Sequence, residues 1–481
     1  MRSAYSVADV RAAERGVMGR LPEGALMQRA AAGLAVTCAQ LLGRTYGTRV
    51  TLLVGSGDNG GDALYAGARL ARRGAGVTAV LLAPERTHDG GLRALRRAGG
   101  RTVDAGSPDA EAAVAGARLV VDGIVGIGGK GGLRPRAAEL ARAAEESGAV
   151  VVAVDLPSGV DADTGQVRGA AVRADVTVTF GTHKPGLLVD PAREYAGSVR
   201  LVDIGLGPDL AAYDAVLEAL QYADVDRLLP RPAAESDKYR RGVVGIVAGS
   251  ARYPGAAVLA VAGALRGGAG AVRYVGPAAE AVIARFPEAL VSAGPPAKAG
   301  RVQAWVAGPG LGDDGGALAD VVAADVPVLI DADGLRLADA AAVRGRAAPT
   351  LLTPHAGEAA ALLGVAREEV EAARLDAVRE LAGRYAATVL LKGSTTLVAG
   401  PDGGAVRVNA TGTSWLATAG SGDVLSGLAG SLLAAGLGAG DAGAVAAFLH
   451  GLAARFAADG APVAAQDVAE AIPTAWRDVR G

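Results

Sequence analysis

Short apolar runs that are hydrophobic at nearly every position, rather than at every second one, recur through this chain and are separated by alanine-rich amphipathic stretches. In the first half they fall at residues 49–54, 77–83, 119–125, 150–154, 176–180 and 199–204. A strand apolar on both sides is buried on both sides, which is the condition of a parallel sheet between two layers of helices. The intervening stretches, such as 62–73 and 135–147, have helical period and length, so the rhythm is βαβα. Ligands of such sheets bind beyond the carboxyl ends of the strands, and residues immediately after a strand therefore carry most of the functional weight.

After residue 204 the rhythm lapses into Gly205-Leu206-Gly207-Pro208 and then Leu229-Pro230-Arg231-Pro232, before a new strand at 243–247. A boundary near residue 222 divides the chain into 1–222 and 223–481. Further strands are expected near 272–275, 304–307, 328–330, 350–353 and 389–391, then a hairpin around Pro401-Asp402-Gly403-Gly404 and a long helical end. The expected fold class is α/β in two domains, the first a Rossmann-like three-layer αβα sandwich.

Composition narrows the function. Lys+Arg 48 against Asp+Glu 50 leaves a net charge of -2, so bulk charge offers no pull toward nucleic acid or an acidic membrane. The single cysteine, Cys38, makes no intrachain disulfide and no thiolate zinc site, and His88, His183, His355 and His450 are too scattered to replace it. A reducing, cytoplasmic setting fits. The N-terminal residues lack the apolar core of a signal peptide, and the long uncharged run at 424–440 is broken by Ser426, Ser431 and glycines, reading as a packed helix rather than a membrane span. Arginine has nearly displaced lysine, leaving Lys130, Lys184, Lys238, Lys298 and Lys392; the only asparagines are Asn59 and Asn409.

The strand at 49–54 runs directly into Gly55-Ser56-Gly57-Asp58-Asn59-Gly60-Gly61-Asp62 and then helix. Such a turn aims backbone N–H groups and a helix N-terminus at an anion, or is simply a tight turn needing glycine. Asp58 and Asp62 would repel a pyrophosphate unless a cation intervened. Two other strand ends, Asp122-Gly123-Ile124-Val125-Gly126 and Asp155-Leu156-Pro157-Ser158-Gly159, bring further oxygens to the same crevice. Capping of the following turn is the alternative role for Asp122 and Asp155.

Over about residues 1–220 these motifs resemble the NAD(P)H-hydrate epimerase domain, with its GNNGGDG loop, its D-x-x-x-G-x-G strand end and its D-x-P-S-G turn. The resemblance implies that Asn59, Asp122 and Ser158 hold a potassium ion. It also implies that Asp58, Asn59, Gly60, Gly61 and Asp62, the loop Gly126, Ile127, Gly128, Gly129, Lys130, Gly131 and Gly132, and Asp155 surround the hydrated nicotinamide nucleotide. Asp155 is taken as the acid or base, and Lys184, in Phe180-Gly181-Thr182-His183-Lys184-Pro185-Gly186, as a phosphate contact. Asp58 stands for the family's first loop asparagine, Ala63 for its last glycine and Gln28-Arg29 for its Glu-Asn.

The second half ends in Thr418-Ala419-Gly420-Ser421-Gly422-Asp423, opening a long helix. Gly420, Ser421 and Gly422 let the backbone close around a transferring phosphoryl group, and Asp423 lies at the mouth to take a proton from a hydroxyl. The strand end Lys392-Gly393-Ser394-Thr395-Thr396 offers a lysine and hydroxyls to a nucleotide phosphate, and Thr353-Pro354-His355-Ala356-Gly357-Glu358 ends another strand, with Glu358 placed to order a water of a magnesium ion. With the glycine turns at Tyr253-Pro254-Gly255-Ala256-Ala257 and Gly308-Pro309-Gly310-Leu311-Gly312, these motifs resemble the ribokinase-like fold and, within it, the ADP-dependent NAD(P)H-hydrate dehydratase, over about residues 223–481.

That resemblance implies that residues 392–396 and Gly422 bind ADP, or ATP, and that Ala256, Ala257, Gly310, His355 and Asp423 bind the hydrated cofactor. The implied activity is repair of NADH hydrate and NADPH hydrate by epimerisation and nucleotide-dependent dehydration, in a homo-oligomer. The alternatives are a ribokinase-like small-molecule kinase with an accessory N-terminal binding module, a non-catalytic assembly role for the first domain, and a nicotinamide-dependent dehydrogenase with Glu85 at the ribose.

Overall fold

A computed structural model describes residues 1–481. The chain divides into two compact units, Ser3–Val216 and Leu217–Gly481, the second including Met1–Arg2. The short strand β1 (Arg2–Ala4) spans the division. The break lies upstream of residue 222 because β9 (Leu217–Ala219) pairs in parallel with β18 (Val406–Asn409), which commits it to the second sheet.

The first unit carries β2 (Arg49–Val54), β3 (Gly76–Leu81), β4 (Arg101–Asp104), β5 (Leu119–Gly123), β6 (Val150–Val154), β7 (Val176–Phe180) and β8 (Ser198–Val202). They form one sheet in the order β4-β3-β2-β5-β6-β7-β8, parallel throughout. Leu52, Val121 and Val152 pack with Leu34 and Leu64 on one face, while their chain neighbours Leu53, Val120 and Val151 pack with Leu140 on the other. This two-sided burial is why the strands read as continuous apolar runs. β2 lies between β3 and β5, so the chain reverses direction across the sheet there and opens a crevice beyond the ends of β2 and β5. The helix Ala25–Leu42 is long and apolar enough, by length and composition, to cross a membrane; its Leu34, Cys38 and Leu42 lie in the first unit's core.

The second unit holds β10 (Val243–Val247), β11 (Ala271–Val275), β12 (Leu290–Ser292), β13 (Ala304–Ala307), β14 (Val328–Ile330), β15 (Thr350–Leu352), β16 (Thr388–Leu391) and β17 (Thr396–Ala399) besides β9 and β18. Their order is β9-β18-β17-β16-β15-β14-β13-β10-β11-β12. Pairing is parallel except where β17 meets β16 and β18, the expected hairpin. The reversal lies at β10, between β11 and β13, where the Gly249 amide donates to the Pro309 carbonyl at 2.7 Å and joins the two glycine turns.

Residues 424–434 of the helix Ser421–Ala434 are all buried, as its uninterrupted small and apolar sequence requires. It packs against Pro254–Arg266 so closely that a methyl added to Gly427 would stand 1.9 Å from the Ala260 carbonyl oxygen. Leu259 lies against Gly420 and Gly267 against Ser431, so these helices run parallel and their N-termini open at the same end.

Two carboxylate-lined crevices as candidate active sites

In the first unit, residues 58–62 do not form a loop. They are the first turn of the helix Asp58–Arg72, which starts ahead of the expected residue 62 because Gly57 is extended (φ -100, ψ -173) and lets the helix begin at once. Asp58 is exposed, Asn59 half-buried, and Gly60, Gly61 and Asp62 are buried. Asn59 reaches β6, donating from Nδ2 to the Val154 carbonyl at 2.5 Å. Gly126 lies against this side chain, and a methyl there would stand 2.2 Å from Asn59 Oδ1 and push it aside.

Asp122, at the end of β5, is 0% exposed. Its carboxylate accepts from Ser158 Oγ at 2.7 Å, Ser158 N at 2.8 Å and Ile124 N at 3.2 Å. Ser158 Oγ also lies 3.1 Å from the Val125 carbonyl. Burial pushes Asp122 up to about 6, against the pull of these donors. Carboxylate, hydroxyl and carbonyl oxygens of Asp122, Ser158 and Val125 thus meet without any nitrogen or sulfur ligand, and no group of three or more His, Cys, Asp or Glu is arranged to hold a metal ion. Such a donor set fits a hard cation of low charge and not a transition metal.

Asp155 follows β6 in a left-handed conformation, φ 66. Its Oδ1 accepts from Lys184 Nζ at 2.5 Å, Thr179 Oγ1 at 3.0 Å and Phe180 N at 3.2 Å. Lys184, expected at a phosphate, is instead 1% exposed, with its ammonium also on Thr179 Oγ1 and the Phe180 carbonyl. Its hydrogen bonds are directed inward, so it serves Asp155 and not an incoming ligand.

Two acidic neighbours gain importance. Asp62 has an oxygen without a hydrogen-bond partner, and burial together with Asp155, Asp58 and Glu14 raises its proton affinity well above the ordinary carboxylate range. Glu14, on the helix Val7–Met18, is raised by burial and lies in the field of Lys184, Asp155 and Asp58. A signal for Glu14 existed: it interrupts the buried spacing Val10, Ala13, Val17, where the helical period calls for an apolar residue. The loop 126–132 lies half-exposed to exposed beyond β5, with Gly129 N donating to Gly126 O at 2.9 Å and Lys130 in solvent.

In the second unit, Asp423 sits in the first turn of the helix Ser421–Ala434, whose N-cap Gly420 adopts φ 86. Burial first, then the charges of Asp331, Asp333 and Glu358, push Asp423 up to about 7, with Lys392 opposing them. Lys392 lies 2.7 Å from Asp331 and 3.7 Å from Glu358, and a methyl on Gly422 would stand 3.5 Å from its ammonium. Burial works against the Lys392 charge, but Asp331 and Glu358 outweigh it and hold the ammonium above its usual range.

His355 caps the helix Ala356–Leu363 through Nδ1, accepting from Gly357 N and Glu358 N, while Glu358 accepts from His355 N at 2.7 Å. A capping box of this kind presents the exposed imidazole to solvent. Ala256 faces Gly310, where a methyl would lie 2.8 Å from its Cβ, and Ala257 is buried against Gly249. In the strand end after β16, Gly393 and Ser394 are exposed, Thr396 half-buried and Thr395 fully buried. Arg374 shapes this turn from beneath by donating to the Lys392 and Thr395 carbonyls, each at 3.0 Å. His450, with its Nε2 unpartnered, is pushed down to about 4 by burial and stands as a neutral imidazole near Ser421.

Sequence reasoning passed over Asp331, Asp333 and Ser426. Asp331 and Asp333 follow directly on β14, the position where β/α folds place chemistry, but the strand has only three residues and its end carries a single glycine, Gly334, rather than a glycine-rich turn.

Two α/β units, each with a lysine–aspartate pair and proton-retaining carboxylates beyond its sheet, define a two-domain α/β enzyme whose second unit is ribokinase-like. Residues 244–474 match the family model of NAD(P)H-hydrate dehydratase, and residues 23–186 that of the YjeF-related protein N-terminus. The chain is 51% identical to the bifunctional NAD(P)H-hydrate repair enzyme Nnr of Mycobacterium leprae, covering 95% of this chain and 94% of that protein. It is 35% identical to the protein of the same name from Moorella thermoacetica, covering 92% and 91%. The chain belongs to the bifunctional NAD(P)H-hydrate repair enzymes. Among solved structures, the ADP/ATP-dependent NAD(P)H-hydrate dehydratase of Bacillus subtilis, co-crystallised with ATP and Mg2+, is similar at 30% identity and TM-score 0.51, covering 55% of this chain and 99% of its own.

Proposed function

We propose that this chain restores hydrated NADH and NADPH, its first unit interconverting the R and S hydrates and its second dehydrating the S hydrate at the expense of ADP or ATP. The observation that carries the reading is Asp423: a carboxyl pushed up to about 7 at the N-terminus of a helix, beside the Lys392–Asp331 pair.

Hydroxide is a poor leaving group at neutral pH, and phosphorylation of the ring hydroxyl makes it a good one. Asp423 takes the hydroxyl proton as oxygen attacks the terminal phosphorus of the nucleotide, whose bridging P–O bond breaks to release AMP or ADP. Gly420, Ser421 and Gly422 direct backbone N–H groups toward the group in transit, and residues 392–396 hold the nucleotide. The ring nitrogen lone pair then expels phosphate, and loss of a proton from the adjacent carbon restores the nicotinamide double bond. Ala256, Ala257, Gly310 and His355 wall the hydrate's side. Magnesium bound with the nucleotide would neutralise phosphate charge, and Glu358 would order one of its waters, in keeping with the acidic excess of Asp331, Asp333, Glu358 and Asp423 over Lys392.

In the first unit, residues 58–62, 126–132 and Asp155 would enclose the hydrate, with Asp155 moving the proton from an orientation set by Lys184. The oxygens of Asn59, Asp122 and Ser158 would hold potassium, which supplies a fixed positive charge. A cytoplasmic setting is in keeping with the single, buried Cys38, and a homo-oligomer with the family resemblance.

The test is recovery of reduced-nicotinamide absorbance from a mixed-epimer NADH hydrate with ADP or ATP and magnesium. Full recovery is expected from the wild type. Asp122→Ala should stop at the S epimer plus slow spontaneous epimerisation. No recovery by the wild type rejects the reading.

A further inference from the structure

We propose that Asp331 is a positioning residue for phosphoryl transfer: clamped by Ser426 through one oxygen, it holds the Lys392 ammonium with the other against the floor of the turn formed by Gly420, Ser421, Gly422 and Asp423. The inference rests on the reading of Asp423 as base and deepens it.

Asp331 is 1% exposed, and each carboxylate oxygen has its own donor: Oδ1 takes Lys392 Nζ at 2.7 Å and Oδ2 takes Ser426 Oγ at 2.7 Å. Ser426 lies one turn beyond Asp423 in the same helix, so the carboxylate ties the strand end carrying the lysine to the helix carrying the base. Its own backbone is equally fixed. A methyl on Gly308 would stand 1.8 Å from the Asp331 carbonyl oxygen, and the next residue, Ala332, is held at φ 50, a conformation that costs an L-residue energy and persists only where its surroundings impose it.

Lys392 differs from a sealed structural lysine. Its side chain keeps 18% exposure, and only the bare backbone of Gly422 lies over its ammonium on the turn side, where a methyl would stand 3.5 Å away. Its charge opposes those of Asp331, Asp333 and Glu358 on Asp423. Without Asp331 the ammonium is free to swing toward Glu358, 3.7 Å away, or toward Asp423. The first movement withdraws positive charge from the phosphoryl group, and the second stabilises the ionised base and weakens it. Asp331 prevents both.

The experiment compares wild type, Asp331→Asn, Ser426→Ala and Asp423→Asn on the S hydrate with ADP and magnesium, measuring kcat, nucleotide KM, the pH dependence of kcat and the melting temperature. Asp331→Asn should lose roughly 100-fold in kcat, keep its nucleotide KM within about threefold, and move its acidic limb to lower pH. Ser426→Ala keeps the charge, so it should lose roughly tenfold in kcat with the limb in place. A folded Asp331→Asn enzyme with wild-type kcat, or with its acidic limb unmoved, overturns the proposal. If Asp331→Asn does not fold, an unchanged kcat in Ser426→Ala overturns it and a reduced kcat with unchanged KM supports it. Activity surviving in Asp423→Asn would remove the base reading instead, and the kcat and KM split of Asp331→Asn would then decide alone.

Discussion

Each unit places a lysine–aspartate pair just beyond its sheet, and the pairs differ in which partner meets solvent. In the first, Lys184 is 1% exposed and Asp155 9%, with Lys184 bonded on to Thr179 and Phe180. In the second, Asp331 is 1% exposed and Lys392 18%. The first pair therefore presents a carboxylate steadied by a hidden cation, suited to moving a proton. The second presents a cation steadied by a hidden carboxylate, suited to a phosphoryl group. The same ion pair, turned around, presents opposite charges beyond the two sheets.

The largest effect that sharpens this contrast should come from Asp423→Ala: nucleotide-dependent recovery should fall by ~10³ or more in kcat while epimerisation proceeds. Loss of both activities would break the separation. Next, Lys184→Met leaves Asp155 charged, buried and without its cation, and should cost ~3–5 kcal/mol in the first unit. Lys392→Met should cost at least as much, because Asp331 is the more buried carboxylate and keeps only Ser426, whereas Asp155 keeps Thr179 Oγ1 and Phe180 N, and urea midpoints that ranked the two the other way would refute the distinction.

The pH dependence of stability follows from Asp423, whose folded proton affinity is raised to about 7. Its contribution is full below the unfolded carboxylate range and is lost as pH rises toward 7. Asp423→Asn should thus gain ~3–4 kcal/mol over wild type at pH 8 and nothing at pH 4. Melting curves at the two pH values check it, and equal differences would show that the carboxyl is not burdened. The smallest effect is expected from Gly126→Ala, whose methyl crowds Asn59 and should slow epimerisation about tenfold with dehydration unchanged.

The architecture was legible wherever burial is two-sided. Residues 49–54, 150–154, 176–180, 243–247, 304–307 and 328–330 form the strands their apolar runs announce. β4, with Arg101 and Asp104 exposed, and β12, with Leu290 exposed, are edge strands with no such run and were silent. Among site residues, Asp122, Asp155 and Asp423 stand at marked strand or helix ends. Glu14 and Asp331 do not, because their importance arises from tertiary neighbours: Glu14 from Lys184 and Asp155, Asp331 from Lys392 and Ser426. Lys184 shows the converse, a rare residue in a suggestive segment whose direction only the fold determines.

The close glycine approaches carry a consequence for mutational scanning. A methyl on Gly55 would meet the Ile124 carbonyl at 1.9 Å, and one on Gly308 that of Asp331 at 1.8 Å. Main chain, not side chain, forms these walls, so removing atoms by alanine scanning leaves them untouched. Only substitutions that add atoms will map them, and the sensitive positions in such a survey will be those whose native residue has no side chain to lose.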